Sequence, residues 1–182
     1  MIWGIVIIVI ALAAFAAFYT AQRQRSRQLR THFGPEYERA VHGYGERRAA
    51  ERALVERAER VKKLEIRPLP ALQRDELARE WEAVQARFVD DPGSAIRAAH
   101  QLLANVMHEQ GYPAGGPAEE IDLLSVHHPG AVQHYRAALQ LAAERDRGNG
   151  GTEELRQALI HYRALFDDLL HRDEARAPKV RS

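Results

Sequence analysis

The pattern of hydrophobic and polar positions divides the chain into one long apolar run followed by several amphipathic segments. The run extends from Ile2 to Tyr19 and contains 18 residues without a charged side chain. A helix of this length measures about 27 Å, which is close to the ~30 Å hydrocarbon core of a bilayer. The run therefore predicts a transmembrane helix that anchors the rest of the chain.

A cleaved signal peptide and a buried soluble helix are the two alternatives for this run. A signal peptide carries basic residues ahead of a shorter apolar segment. Here no basic side chain precedes the run, and four arginines follow it: Arg23, Arg25, Arg27 and Arg30. Because such flanks stay on the cytoplasmic side of a membrane, they favour an anchor with the N-terminus outside and the C-terminal domain in the cytoplasm. They also predict contact with anionic lipid headgroups.

Beyond the anchor, apolar residues recur at helical spacing between short breaks that contain proline and glycine. The tripeptide at 33–35, Phe-Gly-Pro, should end the first helix and open an arm helix that reaches Leu64. A bend is expected in this arm near Gly43 and Gly45, since glycine weakens a helix interior.

Four further amphipathic helices are predicted, and each has one apolar stripe. They run from Ala71 to Val89, from Pro92 to just before Gly111, from Pro129 to Arg145, and from Thr152 towards the C-terminus. The strongest stripe comprises Leu77, Trp81, Val84 and Phe88. Because each helix must bury its stripe against another, the pattern predicts an all-α fold with an antiparallel four-helix-bundle-like domain.

These elements define four expected segments of the chain. They are the anchor with its basic flank at 1–31, a helical arm at 32–65, the helical bundle domain at 66–174, and a disordered tail at 175–182. The longest irregular stretch, residues 112–129, lies inside the bundle domain. Its apolar residues from Ile121 to Val126 should fold back onto the bundle, and a loop of this length is often functional.

Composition and charge narrow the function classes further. The chain has no cysteine, which excludes disulfide frameworks, thiolate zinc sites and cysteine nucleophiles. Residues 21–63 hold 12 Lys and Arg against 6 Asp and Glu, whereas residues 64–182 hold 14 against 19. The segment that follows the anchor is therefore basic and suits an anionic membrane surface, while the distal part is acidic.

Metal and nucleophile patterns are weak in this chain. His127, His128 and His134 could approach one another around Pro129, but neither HExxH nor a Glu-x-x-His pair is present. A capping role for His127 or His128 and a solvent-facing His134 are the favoured interpretation. Ser125 lies three residues before His128, yet nothing resembles a nucleophile elbow. No catalytic residue, metal or cofactor is therefore expected.

Two arginine-containing sets of residues are candidate sites. In RFVDDP, Asp90 and Asp91 could orient Arg87 or form a carboxylate pair, but capping of the helix that starts at Pro92 is favoured. A second set of arginines alternates with glutamates and forms no clean basic face, so nucleic-acid binding is not expected. This set is Arg47, Arg48, Arg52, Arg57 and Arg60.

Four stretches together resemble a group of uncharacterised bacterial proteins that have one N-terminal span and a helical domain. The stretches are RFVDDP at 87–92, the run from Val106 that ends in GYP at Pro113, LSVHHP at 124–129, and TEELRQALIHYRALFDDLL at 152–170. The resemblance implies the same architecture at a bacterial inner membrane and implies no activity.

The expected function is therefore that of a single-pass protein of the bacterial inner membrane. Its helical domain would act by interaction with another protein, as a scaffold or assembly module. The alternative is a membrane-tethered enzyme or small-ligand binder with a site near residues 112–129.

Overall fold

A computed structural model of the chain describes residues 2–148 and 150–176, and these residues form eight helices and no strand. The all-α class predicted from the hydrophobic pattern is confirmed. The helices are α1 (Ile2–Phe33), α2 (Pro35–Tyr44), α3 (Arg47–Lys62), α4 (Ala71–Asp90), α5 (Pro92–Glu109), α6 (Pro117–His127), α7 (Ala131–Asp146) and α8 (Thr152–Arg176). They belong to two compact units, which divide between Glu56 and Arg57.

The N-terminal unit contains α1, α2 and the first part of α3. The predicted break at 33–35 is confirmed, because Gly34 has a φ of +50° and Pro35 is the first residue of α2. Gly45, with a φ of +67°, ends α2 through a bond from its N–H to the carbonyl of Val41. The bend expected near the two glycines is thus a complete helix end, since only the left-handed conformation at Gly45 allows this cap.

The predicted span from Ile2 to Tyr19 lies within the long helix α1. Within the described side chains, no helix is both long and apolar enough to cross a bilayer. The side chains of residues 4–11, and those of Ile2 and Ala14, lie outside the described part of the chain. The span therefore stays a prediction from the sequence.

The C-terminal unit is built around the hairpin of α4 and α5. Asp91 caps α5 by accepting a hydrogen bond from the N–H of Ser94 at 3.0 Å, as the RFVDDP pattern predicted. Gln73 at the start of α4 donates to Glu109 at the end of α5, which shows that the two helices run antiparallel. All members of the predicted α4 stripe except Phe88 are buried.

Helix α8 packs against both α5 and α7. It lies parallel to α5, because His100 contacts Tyr162 and Gln110 donates to the carbonyl of Leu169. It lies antiparallel to α7, to which a short turn connects it. The core between these helices is closed by buried aromatic and aliphatic side chains, including Trp81, Leu103, Tyr135, Tyr162 and Phe166.

Residues 112–129 are more regular than the sequence pattern suggested, since α6 covers most of them. Pro117 suits the first turn of a helix, and Glu119 and Glu120 favour its positive N-terminal end. The apolar residues from Ile121 to Val126 are buried, as expected, with Asp122 and Ser125 as the polar members of the run. Because glycines and prolines lie on both sides of α6, the sequence pattern did not predict this helix of 11 residues.

The C-terminal helix α8 begins at Thr152, as predicted. The side chain of Glu154 accepts a hydrogen bond from the N–H of Gly151 at 2.7 Å, so Gly151 is the capping residue. At the other end, α8 reaches Arg176, within the predicted tail at 175–182. The rest of that tail lies outside the described residues.

Candidate functional site: an arginine-lined cleft between α1 and α3

The N-terminal unit contains a cleft of about 670 Å³ between α1 and the start of α3. Its lining is polar and mainly basic. The lining residues are Tyr19, Gln22, Arg23, Ser26, Arg27, Arg30, Glu46, Arg47, Arg48 and Glu51. A volume of this size suits a small ligand or a lipid headgroup. Five arginines against two glutamates give the cleft a positive charge.

Helix periodicity places the arginines of α1 on the cleft. Arg23, Arg27 and Arg30 follow one another at intervals of four and three residues, which brings them to one face of a helix. Arg23 lies over the ring of Tyr19, with its guanidinium carbon 4.9 Å from the ring centre. Arg30 forms an ion pair with Glu38 at 2.9 Å and lies over the ring of Tyr37. These contacts hold two of the three side chains in place.

A hydrogen-bonded group fixes the other wall of the cleft. Arg47 donates from Nε to the hydroxyl of Tyr37 at 2.9 Å, and this hydroxyl donates to Glu51 at 2.8 Å. Burial raises the pKa of the Tyr37 hydroxyl, and the bond to Tyr37 raises the pKa of Arg47. These hydrogen bonds hold the first turn of α3 against α2. Arg48, which follows Arg47 in the sequence, belongs to the same turn.

Three arginines of the cleft have no internal counter-charge among the described residues, and of these only Arg23 lies over an aromatic ring. Within the described part of the chain, the side chains of Arg27 and Arg48 make no hydrogen bond and no ion pair. They come from different helices and line the same cleft. Two guanidinium groups that line one cleft can both donate hydrogen bonds to one bound anion.

A second cleft of about 360 Å³ adjoins the first and shares several of its residues. It adds Arg25 from α1 and Arg52 from α3. All four arginines predicted to form the membrane-facing flank therefore line one of the two clefts. The sequence alone did not associate them with Arg47, Arg48 and Arg52, because the turns at Gly34 and Gly45 bring these residues back towards α1.

The core of the C-terminal unit contains a separate cluster of polar side chains. The hydroxyl of Tyr135 on α7 donates to the carboxylate of Glu120 on α6 and lies 3.3 Å from Nε2 of His100 on α5. Burial raises the pKa of Tyr135 and, together with the charge of Glu120, raises the pKa of Tyr162 to about 12. Burial lowers the pKa of His100. The phenols stay protonated at neutral pH, which suits a structural network that joins three helices better than a reactive one.

Replacement of Tyr135 by phenylalanine should therefore affect stability. We expect the free energy of unfolding to fall by about 1–3 kcal/mol, because the buried Glu120 loses its donor. Urea denaturation followed by circular dichroism measures this change. Tyr162→Phe is the matched control, since Tyr162 is a buried residue like Tyr135 but its hydroxyl makes no hydrogen bond to the described residues. Equal losses in the two variants would contradict the structural role of the Tyr135–Glu120 bond.

The structure separates the candidates that lay close together in the sequence. Arg87 and Asp90 are exposed at the end of α4, and Asp91 is the cap of α5. Ser125 is buried and donates to the carbonyl of Asp122 at 2.7 Å, and His128 pairs with Asp168 at 2.6 Å. Among the described residues, no side-chain hydrogen bond joins Ser125 to His128. Asp91, Ser125 and His128 each make a separate structural contact.

The histidines of the 127–134 stretch also point to separate partners. His127 lies 3.4 Å from the hydroxyl of Tyr112, His128 contacts Asp168, and His134 is exposed and lies 3.0 Å from His161. Among the described residues, no group of three or more potential metal ligands comes together. His134 and His161 form an imidazole pair between α7 and α8, a relation that the sequence did not suggest.

Comparisons of the chain with protein-family models, with curated proteins and with solved structures find no match. The arginine-lined cleft is accordingly interpreted from its own chemistry and from its position on α1.

Proposed function

We propose that the chain is a single-pass protein of the bacterial inner membrane, anchored by the first part of α1. The N-terminus lies outside, and the C-terminal unit, a four-helix-bundle-like domain, lies in the cytoplasm and binds another protein as a scaffold or assembly module. Helices α2 and α3 form the arm that follows the anchor. The arginine-lined cleft then lies at the membrane surface.

The observation that carries this proposal is the exposure of large apolar side chains on α1. Leu12, Phe15 and Phe18 are 63%, 69% and 65% exposed, and Trp3 is 81% exposed. Contiguous apolar surface of this kind indicates contact with a partner or a membrane. A bilayer is the favoured partner because the uncharged run has the length of a hydrocarbon core and the charged residues that follow it, up to Arg30, are all basic.

The continuity of α1 supports the position of the cleft. Along a helix axis, Arg23 lies about 6 Å beyond Tyr19 and Arg30 about 16 Å beyond it. A headgroup layer is roughly 5–8 Å thick on each side of the hydrocarbon core. If Tyr19 marks the end of the core, the backbone of Arg23 lies in the headgroup layer, and the backbone of Arg27 lies just outside it, at a distance that the Arg27 side chain can span. Each such arginine contributes on the order of 1 kcal/mol to binding of an anionic surface.

Charge placed in the apolar run tests the anchor. The full chain is expressed in bacteria with a reporter after Ser182, and membranes are washed with alkaline carbonate. The unchanged chain should stay in the membrane pellet with a cytoplasmic reporter. The double change Ile8→Arg with Leu12→Arg should release it, because two arginines near the centre of a span oppose insertion.

Leu72→Arg with Val89→Arg is the matched control, since both residues are exposed apolar positions of α4. This variant should remain in the pellet like the unchanged chain. The proposal is wrong if carbonate extracts the unchanged chain. It is wrong in orientation if the reporter is active only on the outer side of the membrane.

A further inference from the structure

We propose that the cleft between α1 and α3 is a binding site for the phosphate group of an anionic lipid headgroup, held by Arg27 and Arg48. This inference rests on the proposed membrane anchor and names the ligand of the cleft. Its basis is a pair of arginines, one on each wall, that make neither an ion pair nor a ring contact among the described residues.

The chemistry of the walls selects a compact anion. Guanidinium groups bind phosphate oxygens through paired N–H donors, and two guanidiniums from opposite walls can share one phosphate. Arg48 belongs to the first turn of α3, where the helix dipole also favours negative charge. Ser26 and Gln22 add hydrogen-bonding groups that suit a hydroxylated headgroup. Phosphate, rather than carboxylate alone, matches a site with several donors on each side.

The acidic residues of the cleft limit the length of its continuous basic surface. Glu46 and Glu51 line both clefts and interrupt the basic surface on the α3 side. A nucleic-acid backbone needs a continuous basic track, and these carboxylates would repel it. A single headgroup avoids them because its charge is confined to one phosphate. The position of the cleft, a few residues beyond the apolar run of α1, also favours a lipid.

The other arginines of the cleft shape its walls and are not the residues proposed to bind the phosphate. Arg30 and Arg47 are already held by Glu38 and by Tyr37, so they shape the walls and need no ligand to stay in place. Arg23 lies over the ring of Tyr19, so Arg27 and Arg48 are the cleft arginines that have neither an ion pair nor a ring contact among the described residues. Substitution of these two removes the ligand contacts and breaks no internal hydrogen bond or ion pair among the described residues.

The experiment uses the full chain in mild detergent and short-chain phosphatidylglycerol as the probe. Native mass spectrometry counts bound lipid and yields Kd, with phosphatidylcholine of equal chain length as the neutral-headgroup reference. Phosphatidylglycerol should bind more tightly than phosphatidylcholine. The double variant Arg27→Gln with Arg48→Gln should raise Kd for phosphatidylglycerol roughly 10- to 30-fold, and each single variant about fivefold.

Arg79→Gln with Arg97→Gln is the matched control, because it removes the same charge from exposed positions of the C-terminal unit. It should leave Kd unchanged, and circular dichroism should show that all variants keep the same helix content. The proposal is overturned if phosphatidylcholine binds equally well or if the double variant binds phosphatidylglycerol like the unchanged chain.

Two competitors separate the possible sources of the anion. Inorganic phosphate at the same concentration should not displace the lipid, and displacement would show that the ligand is free phosphate. A single-stranded oligonucleotide that displaces the lipid at a lower concentration would make the cleft a nucleic-acid site. If the lipid-binding experiment contradicts the proposal while the chain still resists carbonate extraction, the headgroup site is rejected and the proposed anchor is retained. Release by carbonate rejects the anchor itself.

Discussion

Replacement of Trp81 by alanine should lower the free energy of unfolding by about 3–5 kcal/mol, which is the cost of removing a large aromatic side chain from a packed core. Trp81 is fully buried in α4 and stacks on Phe166 of α8, with ring centres 4.8 Å apart. Arg163 of α8 also lies over its ring. The cavity left by the change would separate α4 from α8, so the effect is measured best by urea denaturation followed with far-ultraviolet circular dichroism.

Two control variants make this prediction specific. Trp81→Phe should cost much less, because it keeps the ring stack and removes an indole N–H that has no hydrogen-bond partner among the described residues. Leu72→Ala, at a position that is 70% exposed on the same helix, should change stability little. If Trp81→Ala unfolded at the same urea concentration as Leu72→Ala, the core assignment of α4 would be wrong.

The second large effect is expected at Gly111, just after the end of α5. Its φ of +98° is strained for any residue with a side chain, and a Cβ atom there would lie 2.5 Å from the carbonyl oxygen of Glu65. Gly111→Ala should therefore lower the free energy of unfolding by about 2–4 kcal/mol, from left-handed strain and from displacement of the 63–70 linker. The same denaturation experiment measures it.

Gly130→Ala is the control for this substitution. Gly130 also lies at a helix end, but it has a right-handed conformation and no atom within 4 Å of a Cβ placed on it. Alanine should be neutral or slightly stabilising there, because it restricts the unfolded chain. If both glycine variants proved equally stable, the close approach of Gly111 to Glu65 would not constrain the fold.

Most helices of this chain can be predicted from local sequence, because their starts and ends depend on neighbouring residues. Proline at 35 and 92 opens a helix, and Asp91 caps one, as the pattern indicates. The predicted stripe of α5 is buried because its members share a face at helical spacing. Helix α6 was missed, since the glycines and prolines around it resemble a loop until its apolar face is seen to be buried.

Sites made by distant residues could be predicted only in part. The basic flank of α1 is evident from composition, and all four of its arginines do line a cleft. The partner residues from α3 are not evident, because two turns decide which face of α3 meets α1. The same holds for Glu120, an acidic residue near the start of α6 that local sequence places on a solvated first turn. Its burial depends on Tyr135 of α7.

The sequence by itself determined the all-α class, the break at 33–35, the capped corner at Asp91 and the apolar run that predicts the anchor. Those features depend on interactions within one or two helical turns or on the hydrophobicity of one segment. Only the tertiary structure decided that Arg27 and Arg48 line one cleft and that His100, Glu120 and Tyr135 form one buried network. Each of these groups joins side chains that are tens of residues apart, and their proximity follows from how the helices turn and pack.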